Sequence, residues 1–135
     1  MRTIIAGSRG ITRFSRVLNA VESSGFEITE VVSGAARGVD TLGEEWAWTS
    51  NIPIKQFPAK WKEYGKTAGF IRNQEMADYA DALIAVWDGK SSGTLDMINR
   101  AKENNLKVFV DIVLEKPYDE NVGESESKTP DKKEN

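Results

Sequence analysis

The sequence predicts an α/β fold: a three-layer sandwich with a mainly parallel sheet of about five strands and helices on both faces. Three observations carry that expectation. Short apolar runs alternate with amphipathic stretches of helical period along residues 1–114. Small, polar loops containing glycine follow three of the apolar runs. The run Ala82–Trp87, ALIAVW, is continuously apolar, as a strand covered on both faces should be.

Thr3–Ala6 reads as the first strand and ends at Gly7-Ser8-Arg9-Gly10. Phe14, Val17, Leu18 and Val21 then share one helical face, which Ser24-Gly25 terminates. Glu27–Ser33 is the second strand. Beyond the loop SGAARG, Val39, Leu42, Trp46 and Ala47 mark a helix, broken at Asn51-Ile52-Pro53. Ile54–Phe57 is a short strand whose flanking prolines place it at an edge. Residues 58–66 read as a loop, and a helix follows from Thr67 to Tyr79. After Ala82–Trp87 comes the polar loop Asp88–Thr94. A helix from Thr94 to Asn104 follows, with Leu95, Ile98 and Ala101 on one face and Asp96 in its first turn. Leu106–Val113 is the last strand.

Two domain-level segments result. Residues 1–114 form one globular domain, and 115–135 form an acidic tail expected to be disordered. The tail holds five Glu, two Asp and four Lys, which accounts for the whole net charge of −3. The body is therefore neutral, and a general nucleic-acid binder would show a basic excess. Cysteine and histidine are both absent. Disulfides, thiol nucleophiles, Ser-His triads and most zinc sites go with them, and no metal site is expected. No apolar run reaches membrane-span length and the N-terminus has no signal-peptide pattern, so a cytoplasmic protein is expected, without membrane contact.

The strand–helix alternation brings three loops to one sheet edge: Gly7–Gly10, Ser33–Gly38 and Asp88–Thr94. Each opens onto a helix N-terminus, where unpaired N–H groups favour anions. The expected ligand-binding residues are Gly7, Ser8 and Arg9 from the first loop. The second supplies Ser33, Gly34, Ala35, Arg37, Gly38 and Asp40. The third supplies Asp88, Ser91, Ser92, Gly93 and Thr94, and the helix before the fourth strand adds Arg72 and Asn73. Arg9, Arg37 and Arg72 are the expected counter-charges for phosphate. Neither GxGxxG after the first strand nor GxxxxGK[ST] is present, which argues against a dinucleotide fold and P-loop phosphoryl transfer.

Several residues have plainer readings. Asp40 is positioned to cap the following helix. Arg72 and Glu75 are spaced for an ion pair. Trp46 suits a core and Trp48, on the opposite face, an interface. Trp61 and Tyr64 are equally suited to stacking on a base and to packing.

These segments resemble the SLOG superfamily, the group of the Smf/DprA and LOG proteins. GSR after the first strand, SGAARGVD after the second and IRNQEMADYADALIAVWDGKSSGT before the fifth occur in family order, over about residues 2–112. The nearest branch is that of the small YspA/YpsA-like SLOG proteins of bacteria and phages. The resemblance implies a Rossmann-like fold with a nucleotide-type ligand at the three loops.

Two relatives imply different functions. DprA proteins bind single-stranded DNA; their SGxARGID and RNR motifs are similar to Ser33–Asp40 and to Arg72-Asn73, where RNQ replaces RNR. LOG enzymes hydrolyse the N-glycosidic bond of cytokinin riboside monophosphates; their RKxxMA resembles Arg72–Ala77 and their PGGxGTxxE the loop through Gly93-Thr94. Here Asn73 replaces Lys, DGKSS replaces the paired glycines, and Met97 stands at the motif's final Glu, with Asp96 one residue earlier.

The expected function is therefore binding of a nucleotide or related phosphorylated metabolite, as sensor, carrier or sequestering protein, with no cofactor required. The alternative is N-glycosidic hydrolysis of a nucleoside monophosphate, with Arg72, Glu75 and Asp96 as catalytic candidates. DNA binding ranks third. The expected partners are a phosphorylated small molecule or nucleotide and further copies of the chain, since LOG-type relatives dimerise beside the site.

Overall fold

The structure, a computed structural model, describes residues 1–114. The expected C-terminal tail lies outside the described residues. The strands are β1 (Arg2–Gly7), β2 (Glu30–Ser33), β3 (Ile54–Gln56), β4 (Ala82–Trp87) and β5 (Lys107–Ile112). The helices are α1 (Phe14–Ser24), α2 (Val39–Thr49), α3 (Trp61–Tyr64), α4 (Ala68–Tyr79) and α5 (Ser92–Glu103), with a 3-10 turn at Gly65–Thr67.

The strands form one sheet in the order β3-β2-β1-β4-β5, and every pairing is parallel. This is the Rossmann-like three-layer fold that the alternation of elements dictates. Alternate side chains of each strand feed opposite faces. Ile4, Ala6, Val32, Leu83 and Ala85 pack under Met76, Met97 and Ile98 of α4 and α5. Ile5, Val31, Ile84 and Val86 pack under Val17, Val39 and Ala47 of α1 and α2. Ala82–Val86 are all buried, as a strand covered twice requires. Strand order reverses between β1 and β4, so the crevice beyond their carboxyl ends is where this topology seats a ligand.

The structure differs from the sequence reading at several element boundaries and on one helix face. Segment 58–66 holds α3 and the start of the 3-10 turn; four residues are too few for a helical period to show. β2 begins at Glu30, because its register with β1 starts at the Arg2–Glu30 pair. α5 begins at Ser92, so Asp96 lies beyond its first turn. Its buried face is Thr94, Met97, Ile98 and Ala101, and Leu95 is left 43% exposed. α1 ends as expected, with Gly25 left-handed at φ 69°.

Candidate functional site

Ser8 ties together the loops that follow β1, β2 and β4. Its carbonyl accepts the N–H groups of Ile11 (3.3 Å) and Val39 (3.4 Å), and its own N–H donates to Val86 (3.1 Å). Its hydroxyl accepts the Asp88 N–H at 3.0 Å. Ser8 is thus buried beneath the site and shapes it. Two glycines allow this close approach. A Cβ on Gly7 would lie 2.0 Å from the Val86 carbonyl oxygen. One on Gly38 would lie 2.5 Å from both the Arg9 Cα and the Ser8 carbonyl oxygen, and its φ of 75° is itself unfavourable for a side chain.

Two N–H groups of the loop SGAARG are taken up locally. Ala35 donates to Ser33 Oγ (3.0 Å), Ala36 to Asp40 Oδ2 (3.2 Å), and the Ser33 hydroxyl to Glu44 (2.6 Å). Asp40 therefore does not cap α2, whose N-cap is Gly38 without a side-chain bond; its carboxylate reaches back to the loop instead. Burial pushes the Asp40 carboxyl up to about 6, against the Ala36 hydrogen bond and the Arg72 charge, which favour ionisation.

Arg72 comes from α4. Its Nη1 donates to the Gly34 carbonyl and its Nε to Asn73 Oδ1 (3.1 Å). Burial lowers its pKa, and the Asp40 charge opposes that shift. The side chain turns toward the β2 loop rather than pairing with Glu75. Glu75 lines a separate, shallow groove with Gln74, Asp78 and Arg100.

Asn73 Nδ2 donates to the Gly93 carbonyl (3.3 Å) and to Asp96 Oδ2 (3.0 Å), docking α4 on α5. The same Asp96 oxygen accepts Arg100 Nε at 2.8 Å. Asp88 Oδ1 accepts the Lys90 and Ser91 N–H groups, each at 2.8 Å, and these bonds hold its pKa below the usual carboxylate value. The Trp87 indole N–H donates to the Ser91 carbonyl at 3.0 Å. Together these contacts set the first turn of α5, Ser92–Thr94, against an open cavity. Its N-cap, Ser91, makes no side-chain cap bond, so the leading N–H groups face that space without a side-chain acceptor.

The cavity has a volume of about 570 Å³, within the usual range for small-molecule sites, about 300–1,000 Å³. Four cations line it, Arg9, Lys66, Arg72 and Lys90, against two carboxylates, Asp40 and Asp88. Ala6, Met76 and Met97 give it an apolar floor, and Trp61, Gly69 and Phe70 form one wall.

Of the residues singled out from sequence, Gly7, Arg9, Asp40, Arg72, Asn73, Asp88, Ser91, Ser92, Gly93 and Thr94 line this cavity. Ser8, Ser33, Gly34 and Gly38 support it from behind, while Ala35 is exposed on its loop with its N–H on Ser33. Arg37 and Glu75 are exposed and outside the lining, and the part-buried Asp96 is outside it too. Trp61 is part of the wall and Tyr64 is not. Lys66 and Lys90 are the cations that sequence reading missed. Lys90 lies inside a loop that the sequence singles out, which is signal enough; Lys66 lies at the end of the segment read as a loop, where only Trp61 and Tyr64 stood out. Among the described residues no cluster of acidic side chains could hold a metal ion, and no helix is long and apolar enough to cross a membrane.

Comparison with known proteins agrees with the fold. Residues 1–64 match the YspA, cpYpsA-related SLOG family. Over 118 residues the chain is 32% identical to the Gene 61 protein of Mycobacterium phage D29, an alignment covering 80% of this chain and 94% of that protein. No solved structure matches. The two matches together place the chain in that family.

Proposed function

We propose that this chain, which belongs to the YspA, cpYpsA-related SLOG family, binds a nucleotide or related phosphorylated metabolite in the cavity beyond β1 and β4. Family membership suggests nucleotide-related binding. One observation supports the site above all: the uncapped first turn of α5 opens onto the same cavity as Arg9, Lys66, Arg72 and Lys90. A helix N-terminus offers N–H groups and a partial positive charge, and the side chains add full charges. A phosphate dianion would also balance the cavity's cationic excess.

Isothermal titration of the whole chain with nucleoside mono- and diphosphates tests this. Saturable binding should weaken about tenfold on Lys90→Ala or Lys66→Ala, the scale of one charge-assisted hydrogen bond. Both lysines are exposed, so the fold should be unaffected. No binding to any of the compounds would refute the proposal.

Hydrolysis ranks below binding because its candidate carboxylates are engaged elsewhere. Asp96 is held by Asn73 and Arg100, and Glu75 lies outside the cavity. Asp40 and Asp88, which do line it, accept backbone N–H groups that shape the loops. Free base released from AMP by the purified protein would reverse this ranking.

A further inference from the structure

Trp61 is a large aromatic side chain of the cavity that the fold leaves half-exposed. It is 52% exposed and belongs to neither hydrophobic core. Among the described residues its indole N–H has no acceptor and its ring has no aromatic or cationic partner. The contrast with the other tryptophans is informative. Trp87 donates to the Ser91 carbonyl, and Trp46 packs on the core beneath α2. Trp48 is exposed but stands on α2, away from the cavity lining.

The setting of Trp61 is built. It opens α3, and its carbonyl accepts the N–H of Gly65, which closes that short helix. Beside the indole lies Gly69. A Cβ there would sit 3.5 Å from Trp61 Cη2 and 3.8 Å from Arg72 Nη2. The six-membered edge of the indole and the Arg72 guanidinium therefore flank one glycine, with no side chain between them. Phe70, 42% exposed, continues the same wall. The cavity thus has an aromatic wall that adjoins a cationic end. A large half-exposed aromatic surface gains most from a flat, apolar-faced partner.

We propose that Trp61 is the stacking platform for an aromatic base, so that the ligand of this cavity is a nucleotide and not a sugar phosphate alone. The proposal deepens the phosphate-binding reading of the same cavity and rests on it. The phosphate lies at the first turn of α5, and the base reaches back over Gly69 to the indole. Stacking tolerates any base, so selectivity among bases is set by their edges and not by Trp61.

The test is calorimetric titration of the full chain with the four common nucleoside monophosphates and with ribose 5-phosphate, on wild type, Trp61→Ala and Trp61→Phe. Intrinsic fluorescence is read in parallel. At least one nucleotide should bind more tightly than ribose 5-phosphate. Trp61→Ala should weaken that nucleotide by about 5- to 150-fold, the range of a base–aromatic stack. Its affinity for ribose 5-phosphate should not change. Trp61→Phe should restore most of the nucleotide affinity, and the ligand-induced fluorescence change should be lost in both variants. If ribose 5-phosphate binds as tightly as the nucleotides, or if Trp61→Ala weakens both equally, the stacking platform is overturned while phosphate binding stands. If no compound binds, both proposals fall.

Discussion

Arg72 of α4 donates from Nη1 to the carbonyl of Gly34, 38 positions earlier on the loop after β2. Its guanidinium fills the space that a side chain at position 34 would need: a Cβ there would lie 2.5 Å from Nη1 and 2.8 Å from Asp40 Oδ2. The small residues of SGAARG thus make room for an arginine from another element, and that arginine carries charge into the cavity. The loop's own arginine, Arg37, points to solvent.

Gly34→Ala should therefore separate folding from binding. The atoms in the way belong to flexible side chains, so the chain can fold by displacing Arg72. The stability loss should be about 2 kcal/mol, the worth of a lost hydrogen bond from a charged group. Affinity for a phosphorylated ligand should fall about tenfold or more, because the displaced guanidinium no longer faces the cavity. Urea denaturation and titration on the same preparation check the pair.

Gly7→Ala should behave in the opposite way. Its methyl would meet the main chain of β4, with the Val86 carbonyl oxygen 2.0 Å away and Val39 Cγ2 at 2.8 Å. A backbone cannot move aside like a side-chain tip. A cost of about 3 kcal/mol or more is expected, at the upper end for overpacking. Chemical denaturation should show a midpoint well below that of Gly34→Ala; equal midpoints would contradict the packing described.

Asp40 gives a pH signature. Its pKa is about 6 in the folded protein, raised by burial from 3.8. Between these values the folded state binds more protons than the unfolded state, so stability falls as pH rises. The cost is absent below about pH 4 and complete above pH 6. Asp40→Asn removes the titration. The stability difference between variant and wild type should move in the variant's favour from pH 4 to pH 7, by up to about 3 kcal/mol. Denaturation at several pH values measures it, and a flat difference would show that Asp40 does not titrate in this range.

Most of the fold was legible because it depends on local pattern. The continuous run ALIAVW fixed a strand buried on both faces, and Ser24-Gly25 marked the end of α1. The three loops at one edge followed from topology alone. What was not legible is long-range or too short for periodicity. No spacing rule brings Arg72 to Gly34 or Asn73 to Asp96. Leu95 is spaced by three from Ile98, as Ile98 is from Ala101, yet the buried face runs through Thr94, Met97, Ile98 and Ala101, which a spacing of three alone does not distinguish. Lys66 resembles any surface lysine until α3 and the 3-10 turn carry it to the cavity.

The central claim is that the first turn of α5 holds an anionic group, and amide chemical shifts report on those N–H groups directly. In a 15N-labelled sample titrated with AMP, the Ser92, Gly93 and Thr94 amides should shift most, moving downfield as they gain a charged acceptor. Saturation should follow one binding curve, with Trp61 indole N–H perturbed along it. Unmoved amides at these three positions, with the largest shifts instead in the groove of Gln74, Glu75 and Asp78, would contradict the account.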